Sequence, residues 1–489
     1  MMKKILALTI CIIFTSTSAA YPLPQDPEVV EGSADIAVDG NTMNIDASDN
    51  TIIDFQSFDI SQGESVIVTL PSINSDILSR VLGDQATNIA GNLSCNGIFI
   101  LVNDAGIYVA STAQIQAAGL VLSTLDINNQ DFLNNNNLFQ RLSEEQLNML
   151  LVNEGNIAIN EGGFAAFIAG AIENNGTIIA PLGEISLATG EAVTLDISGN
   201  DLISVAIDKE VASQVHDSQG NPITDQIHNT GTIEAQGGMI ILDAHALPDI
   251  FTKAINLSGY VGANKLNDKD GTISLVCNDD VLLQGTLEAD TGHIDVTAGE
   301  GTVENTGIIR TKLFTETGYS FSTSGTIEGG KAFYSNLDGA ANISGDIGSD
   351  QWDEGNLIVV GNITLTADVY FWADSNATGD GIGDGNGVFS CDGVGFTITG
   401  GGHDLTIYSS QNNEGGFTAD SIVVAISGVD QLIFNGSGST PNYSAAGDIS
   451  ATRCEFNSGI FNANSVNITA GTGGFANGST FNANSSTVT

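Results

Sequence analysis

Positive charge is scarce in this chain. Only 12 of its 489 residues are Lys or Arg, against 58 Asp or Glu, for a formal net charge of −46. Such a surface repels the phosphates of nucleic acid and of an anionic membrane face, so neither is an expected partner. Cysteine is also sparse. Of the 5 present, Cys11 sits near the start, and Cys95, Cys277, Cys391 and Cys454 are scattered with no C-x-x-C spacing. That excludes a zinc site and a small disulfide scaffold. Isolated buried thiols on strands are the expectation, and Cys391–Cys454 is the pairing disfavoured least. The usual catalytic signatures G-x-S-x-G, H-E-x-x-H and the P-loop are missing as well. Past the first twenty residues no window is apolar enough to span a bilayer as a helix. Proline numbers only 8 whereas glycine numbers 58, a balance that suits many short strands joined by Gly, Asn and Asp turns.

Residues 1–20 read as a secretory signal: Lys3 and Lys4, the apolar run Ile5–Phe14, then Ser18-Ala19-Ala20 at a small-residue cleavage site. From Val29 to Leu70 apolar residues alternate with polar ones in short pieces (ADIAVDG, NTMNIDA, NTIIDFQSFDI, ESVIVTL), the pattern of half-buried strands. Ser143–Leu151 is predicted to be a helix lying outside the strands. Ser143 and Gln146 form an S-x-x-Q capping box, and Leu147, Leu150 and Leu151 share a face. After it, an Asn-x-Gly-x-Ile unit recurs at Asn153, Asn174, Asn229, Lys269, Leu283, Asn305, Thr323 and Val360. Second strands of the type GEISLA (Gly183), GGMIILDA (Gly237) and TGHIDVT (Thr291) lie between. A unit that cannot bury its own apolar face must stack on its neighbours, so the repeat predicts a solenoid. FNANS occurs at Phe461–Ser465 and again at Phe481–Ser485, twenty residues apart. That is a coil length for a β-helix, and it predicts Phe-over-Phe and Asn-over-Asn ladders.

Asn92–Val109 (NLSCNGIFILVNDAGIYV) holds two strand-like runs around the turn Asn103-Asp104-Ala105-Gly106. Together with DFQSFDISQGESVIVTLPS (Asp54–Ser72), LSRVLGDQATNIAGNL (Leu78–Leu93), GLVLSTLD (Gly119–Asp126), DFLNNNNLF (Asp131–Phe139) and the block Gly162–Asp208, it resembles the secretion domain of two-partner-secretion exoproteins, the filamentous haemagglutinin family. In that family the turn reads Asn-Pro-Asn-Gly. Here Asn103 and Gly106 keep the outer positions, while Asp104 and Ala105 replace the inner pair. The resemblance covers about residues 24–208 and implies an all-β fold: a right-handed parallel β-helix with an N-terminal β cap. It further implies secretion from a diderm bacterium. An outer-membrane β-barrel transporter with periplasmic recognition domains would read residues 21–208, and Asn103–Gly106 would be the recognition turn. Residues 209–489 are expected to be a β-helix repeat region. It stops inside a repeat, as a piece of a longer exoprotein would, and serves as a surface adhesin or filament toward a host or neighbouring-cell ligand.

The rival class is a β-helix polysaccharide lyase or hydrolase. Arg310 and Lys312 lie in strand-like sequence, but the carboxylate–calcium cluster a lyase needs beside them cannot be assembled, and no catalytic set is expected. The five histidines, His216, His228, His245, His293 and His403, are not paired at metal spacing. Asp374, Asn376, Asp380, Asp384 and Asn386, in DSNATGDGIGDGNG, offer oxygen ligands for a calcium ion; the alternative is a solvated Gly/Asp loop.

Overall fold

The computed structural model describes residues 23–489 apart from 142–148, 198–202, 218, 346, 348–355, 373–387, 392–396, 409–419, 423–424, 436–441, 446–447, 458–459, 464–465, 478–479 and 483–486. The chain winds into a parallel β-helix. Strand after strand pairs in parallel with its counterpart one coil away. One such series runs Ile107–Val109, Leu150–Asn153, Ala171–Asn174, Asp225–Asn229, Lys253–Leu257, Val281–Leu283, Thr302–Asn305. The N-terminal end is closed by antiparallel strands: Glu28–Glu31 pairs with Thr51–Phe55, and Ala34–Asp39 pairs with Thr42–Ala47. The expected cap and the parallel β-helix are both present.

Alternation decides what faces the lumen. In Met239–Ala244 the residues Ile240, Leu242 and Ala244 are buried, while Met239, Ile241 and Asp243 are half-buried on the outer side. The inward set forms one continuous apolar core along the helix, from Met43 to Ile468. Each parallel pairing repeats the same inward columns, so a coil without neighbours would have no core at all.

Two repeating columns run through this stack. Asn153 Nδ2 donates to Asn174 Oδ1 at 2.7 Å, and Asn174 Nδ2 donates to Asn229 Oδ1 at 2.7 Å, with all three side chains fully buried. The column continues through Leu257 and Leu283, then Asn305, which donates to Thr323 Oγ1 at 3.0 Å. Two residues further along each coil lies a column of glycines. A Cβ on Gly176, Gly231, Gly259, Gly285, Gly307, Gly325 or Gly345 would meet the carbonyl oxygen of the glycine one coil below at between 1.9 and 2.3 Å. Here the requirement is close approach of two backbones, which only glycine allows.

The expected helix at Ser143–Leu151 is corrected in part. Leu150 and Leu151 lie in the strand Leu150–Asn153, held in register between Ile107–Val109 and Ala171–Asn174; residues 142–148 lie outside the described residues. The i, i+3, i+4 spacing of these leucines satisfied a helical face, but pairing on two sides outweighs local propensity. The described helix is instead Asn129–Leu133, where the Asn128 side chain accepts from Gln130 N–H and Asn134 caps the other end. The KDGTISL unit is also reassigned. Gly271 stacks between Ala263 and Gly292, in a second glycine column, and Thr272–Cys277 pairs with Met239–Ala244. The FNANS ladder is as expected: the Phe461 and Phe481 rings stack at 5.5 Å, and Asn482 Nδ2 donates to Asn462 Oδ1 at 2.8 Å. Cys454 is a free, buried thiol, so the Cys391–Cys454 bridge is not formed.

A separate antiparallel sheet lies on the outside of the first coils. Its strands are Asp126–Ile127, Leu138–Gln140, Ala192–Asp196 and Ser204–Lys209. Beneath it the outward column Leu78, Ile100, Val121 and Ala166 is apolar, and Phe132, Phe139 and Val193 of the covering layer pack onto it. A β-helix face that carries apolar residues outside as well as inside needs such a cover.

Candidate functional site

The turn Asn103–Gly106 links Asn92–Val102 to Ile107–Val109 and is built by its two outer residues. Gly106 N–H donates to the Asn103 carbonyl at 3.1 Å, closing the turn, while Ala105 N–H donates to Asn103 Oδ1 at 2.9 Å. The rest of the Asn103 side chain ties the turn to the neighbouring coil: Nδ2 donates to the Gln85 carbonyl at 3.0 Å and to Thr87 Oγ1 at 2.9 Å. On the other side Asn103 N–H donates to the Ser123 carbonyl at 3.0 Å. Asn103 is fully buried, so its amide is spent inside the stack. Gly106 has φ +111°, a conformation that L side chains rarely adopt, although a Cβ there would make only ordinary contacts, 3.5 Å or more from its neighbours. Asp104 is exposed and Ala105 half-buried, so this pair forms the outer surface of the turn. Beside it Tyr108 donates to Glu154 Oε2 at 2.6 Å, and that carboxylate raises the phenol to about 12.

Arg80 was not singled out by the sequence reading, although it is the only Lys or Arg between residues 21 and 140. It is almost fully buried and clamps the outer sheet to the helix. Nε donates to Asp126 Oδ1 at 2.8 Å, one terminal nitrogen to Asp54 Oδ1 at 3.2 Å, and the other to the Ile127 carbonyl at 2.6 Å. A second clamp joins the sheet's far end: the buried Glu191 accepts from Arg141 at 2.7 Å and from Lys209 at 2.8 Å. A lone arginine in an acidic stretch is the signal that could have pointed to the first clamp.

Of the other candidates, Arg310 lies between two glutamates on stacked coils, 2.7 Å from Glu328 and 3.8 Å from Glu288. Lys312 follows on the same strand. Among the histidines, His245 pairs with Asp243 at 2.9 Å, which raises its pKa, and His293 contacts Thr315 Oγ1 at 2.8 Å. Among the described residues no group of three or more His, Cys, Asp or Glu is placed to hold a metal ion. The proposed calcium ligands Asp374, Asn376, Asp380, Asp384 and Asn386 lie outside the described residues. No described helix is long and apolar enough to cross a membrane.

A parallel β-helix with an antiparallel cap and an outer covering sheet defines a solenoid whose N-terminal unit is elaborated beyond its repeats. The family model of the TPS secretion domain matches residues 20–289, more than half of the chain. The chain belongs to this family, that of the exoproteins of two-partner secretion. It is similar to the heme/hemopexin-binding protein of Haemophilus influenzae, 30% identical over 291 residues, a match spanning 57% of this chain and 30% of that protein. A second heme/hemopexin-binding protein of Haemophilus influenzae is 31% identical over 151 residues, spanning 30% of this chain and 16% of the relative. This chain thus aligns with less than a third of the curated relatives' length. Among solved structures, the HMW1 secretion domain from Haemophilus influenzae superposes with a TM-score of 0.53 at 22% identity, covering 84% of this chain and all of that one. That likeness is one of fold.

Proposed function

We propose that residues 21–208 are the export address of this secreted exoprotein, read by an outer-membrane β-barrel transporter through its periplasmic domains. The turn Asn103-Asp104-Ala105-Gly106 would be a required part of that address. The supporting observation is the match of the TPS secretion domain to residues 20–289. The physical properties of the chain suit such a route. A charge of −46 keeps the chains apart in transit, and the free buried thiols leave no bridged loop to stall in a pore. Because each coil is stabilised by its neighbours, folding can begin with the first coils to emerge and draw the rest outward.

In this reading residues 209–489 form a surface structure or adhesin that meets a host or neighbouring-cell ligand. The name of the similar Haemophilus protein makes heme or hemopexin the first ligands to try. Nothing in the comparisons favours a lyase or hydrolase. Expression in a diderm host with and without a two-partner transporter tests the proposal. The chain is expected in the medium only when the transporter is present; equal release without it would refute the reading.

A further inference from the structure

Glu184 is a coil-strand residue beneath the outer sheet whose burial the architecture does not require. It opens the strand Glu184–Thr189 and points outward, between Phe164 and Met239 of the adjacent coils. It is 1% exposed. Oε2 accepts a hydrogen bond from Ile203 N–H at 3.0 Å, while Oε1 is buried with no partner. Ile203 leads directly into Ser204–Lys209, the edge strand of the outer sheet. Among the described residues that strand pairs with Ala192–Asp196 and with no strand on its other side. Besides this ladder the strand is fastened by Thr194 Oγ1, which donates to Asp208 at 2.6 Å, and by Lys209 to Glu191, both made through an exposed side chain and of little weight, while Val205 and Ile207 rest partly buried on the apolar face.

The charged groups around Glu184 are committed elsewhere or face away. On the neighbouring strands, Glu161 is exposed and Asp243 pairs with His245. In the covering layer, Asp208 accepts from Thr194, Glu191 is shared by Arg141 and Lys209, and Asp126 is held by Arg80. Asp196 ends the strand beside them. None of these acts on Glu184, which responds to its burial and to the Ile203 N–H. Among the described residues a charged carboxylate there has one hydrogen bond and no counter-ion. The least costly relief is to lift Ile203 and the edge strand so that water reaches it.

We propose that the outer sheet is a lid whose edge strand, Ser204–Lys209, closes over protonated Glu184 and loosens when Glu184 ionises, baring the apolar face beneath. The pH range follows from the carboxyl itself. Burial raises it from 4.5 to about 7. A group raised on closing contributes its full stabilisation below 4.5 and loses it as pH rises through about 7. With those two values the open fraction rises roughly thirtyfold between pH 5.5 and 8.5.

Hydrogen exchange of the full chain, with rates corrected for intrinsic chemistry, tests this. Amides of Ser204–Lys209 are expected to lose protection by that factor between pH 5.5 and 8.5, while the coil strand Thr272–Cys277 keeps its protection. Glu184→Gln should hold the lid equally protected at both pH values. Equal protection of the wild-type edge strand at the two pH values, or loosening of all coils together, overturns the proposal whether or not the variant folds. So does a Glu184→Gln chain that still loosens on raising the pH.

Discussion

At the scale of single residues, stability rests on two columns that repeat from coil to coil. The buried amides of Asn153, Asn174 and Asn229 satisfy one another. Asn174→Ala leaves Asn153 Nδ2 without its acceptor and should cost about 1–3 kcal/mol, read as a lower urea midpoint. The same column carries leucine at Leu257 and Leu283. Replacing all three asparagines by leucine should therefore cost less than three single losses, since no polar atom would be stranded. Gly231→Ala places a methyl 2.1 Å from the Gly176 carbonyl and should cost about 1–3 kcal/mol or more. Burial raises the thiols of Cys95 and Cys454 to about 11 and Cys277 to about 12. All three should resist alkylation at pH 8 until the chain is unfolded. The Asn-x-Gly spacing was visible in the sequence because both columns demand one residue type. Which strand set a given Gly belonged to was not, and Gly271 went to the wrong one.

At the scale of elements, the outer sheet joins segments more than fifty residues apart, Leu138–Gln140 with Ala192–Asp196. Its short strands carry no period of their own, so no pattern in the chain announces it. The same stretch invited a helix at Ser143–Leu151, where local spacing and capping agreed but strand pairing claimed Leu150 and Leu151. The turn fared better. Asn and Gly at its corners were readable from their tolerance of unusual backbone, yet only in the folded stack is the Asn103 amide consumed by Gln85, Thr87 and Ala105. Arg80→Met removes the clamp and leaves Asp54 and Asp126 facing each other's charge. Discounting for their partial exposure, the loss should be about 1–3 kcal/mol. It should appear as faster hydrogen exchange in Asp126–Ile127 and Leu138–Gln140, with the downstream coils unchanged.

At the scale of the whole molecule, a continuous apolar core is wrapped in a surface carrying a charge of −46. Self-repulsion on that surface opposes folding, and salt screens it. The melting temperature should therefore rise by several degrees between 20 and 300 mM sodium chloride; a fall would mean that attractive ion pairs dominate instead. Class and architecture were legible because composition and repeat both act on every coil. The partner was legible only through resemblance, since no residue pattern by itself specifies a transporter.

The most direct test of the central claim compares three chains expressed with the transporter: wild type, Asn103→Ala/Gly106→Ala, and Gly307→Ala, a lesion in a coil well beyond the proposed address. The amount of each in the medium is measured against the amount retained in cells. The account predicts that the turn variant stays inside while the Gly307→Ala chain is still released. Wild-type release of the turn variant, or retention of both variants alike, would contradict it.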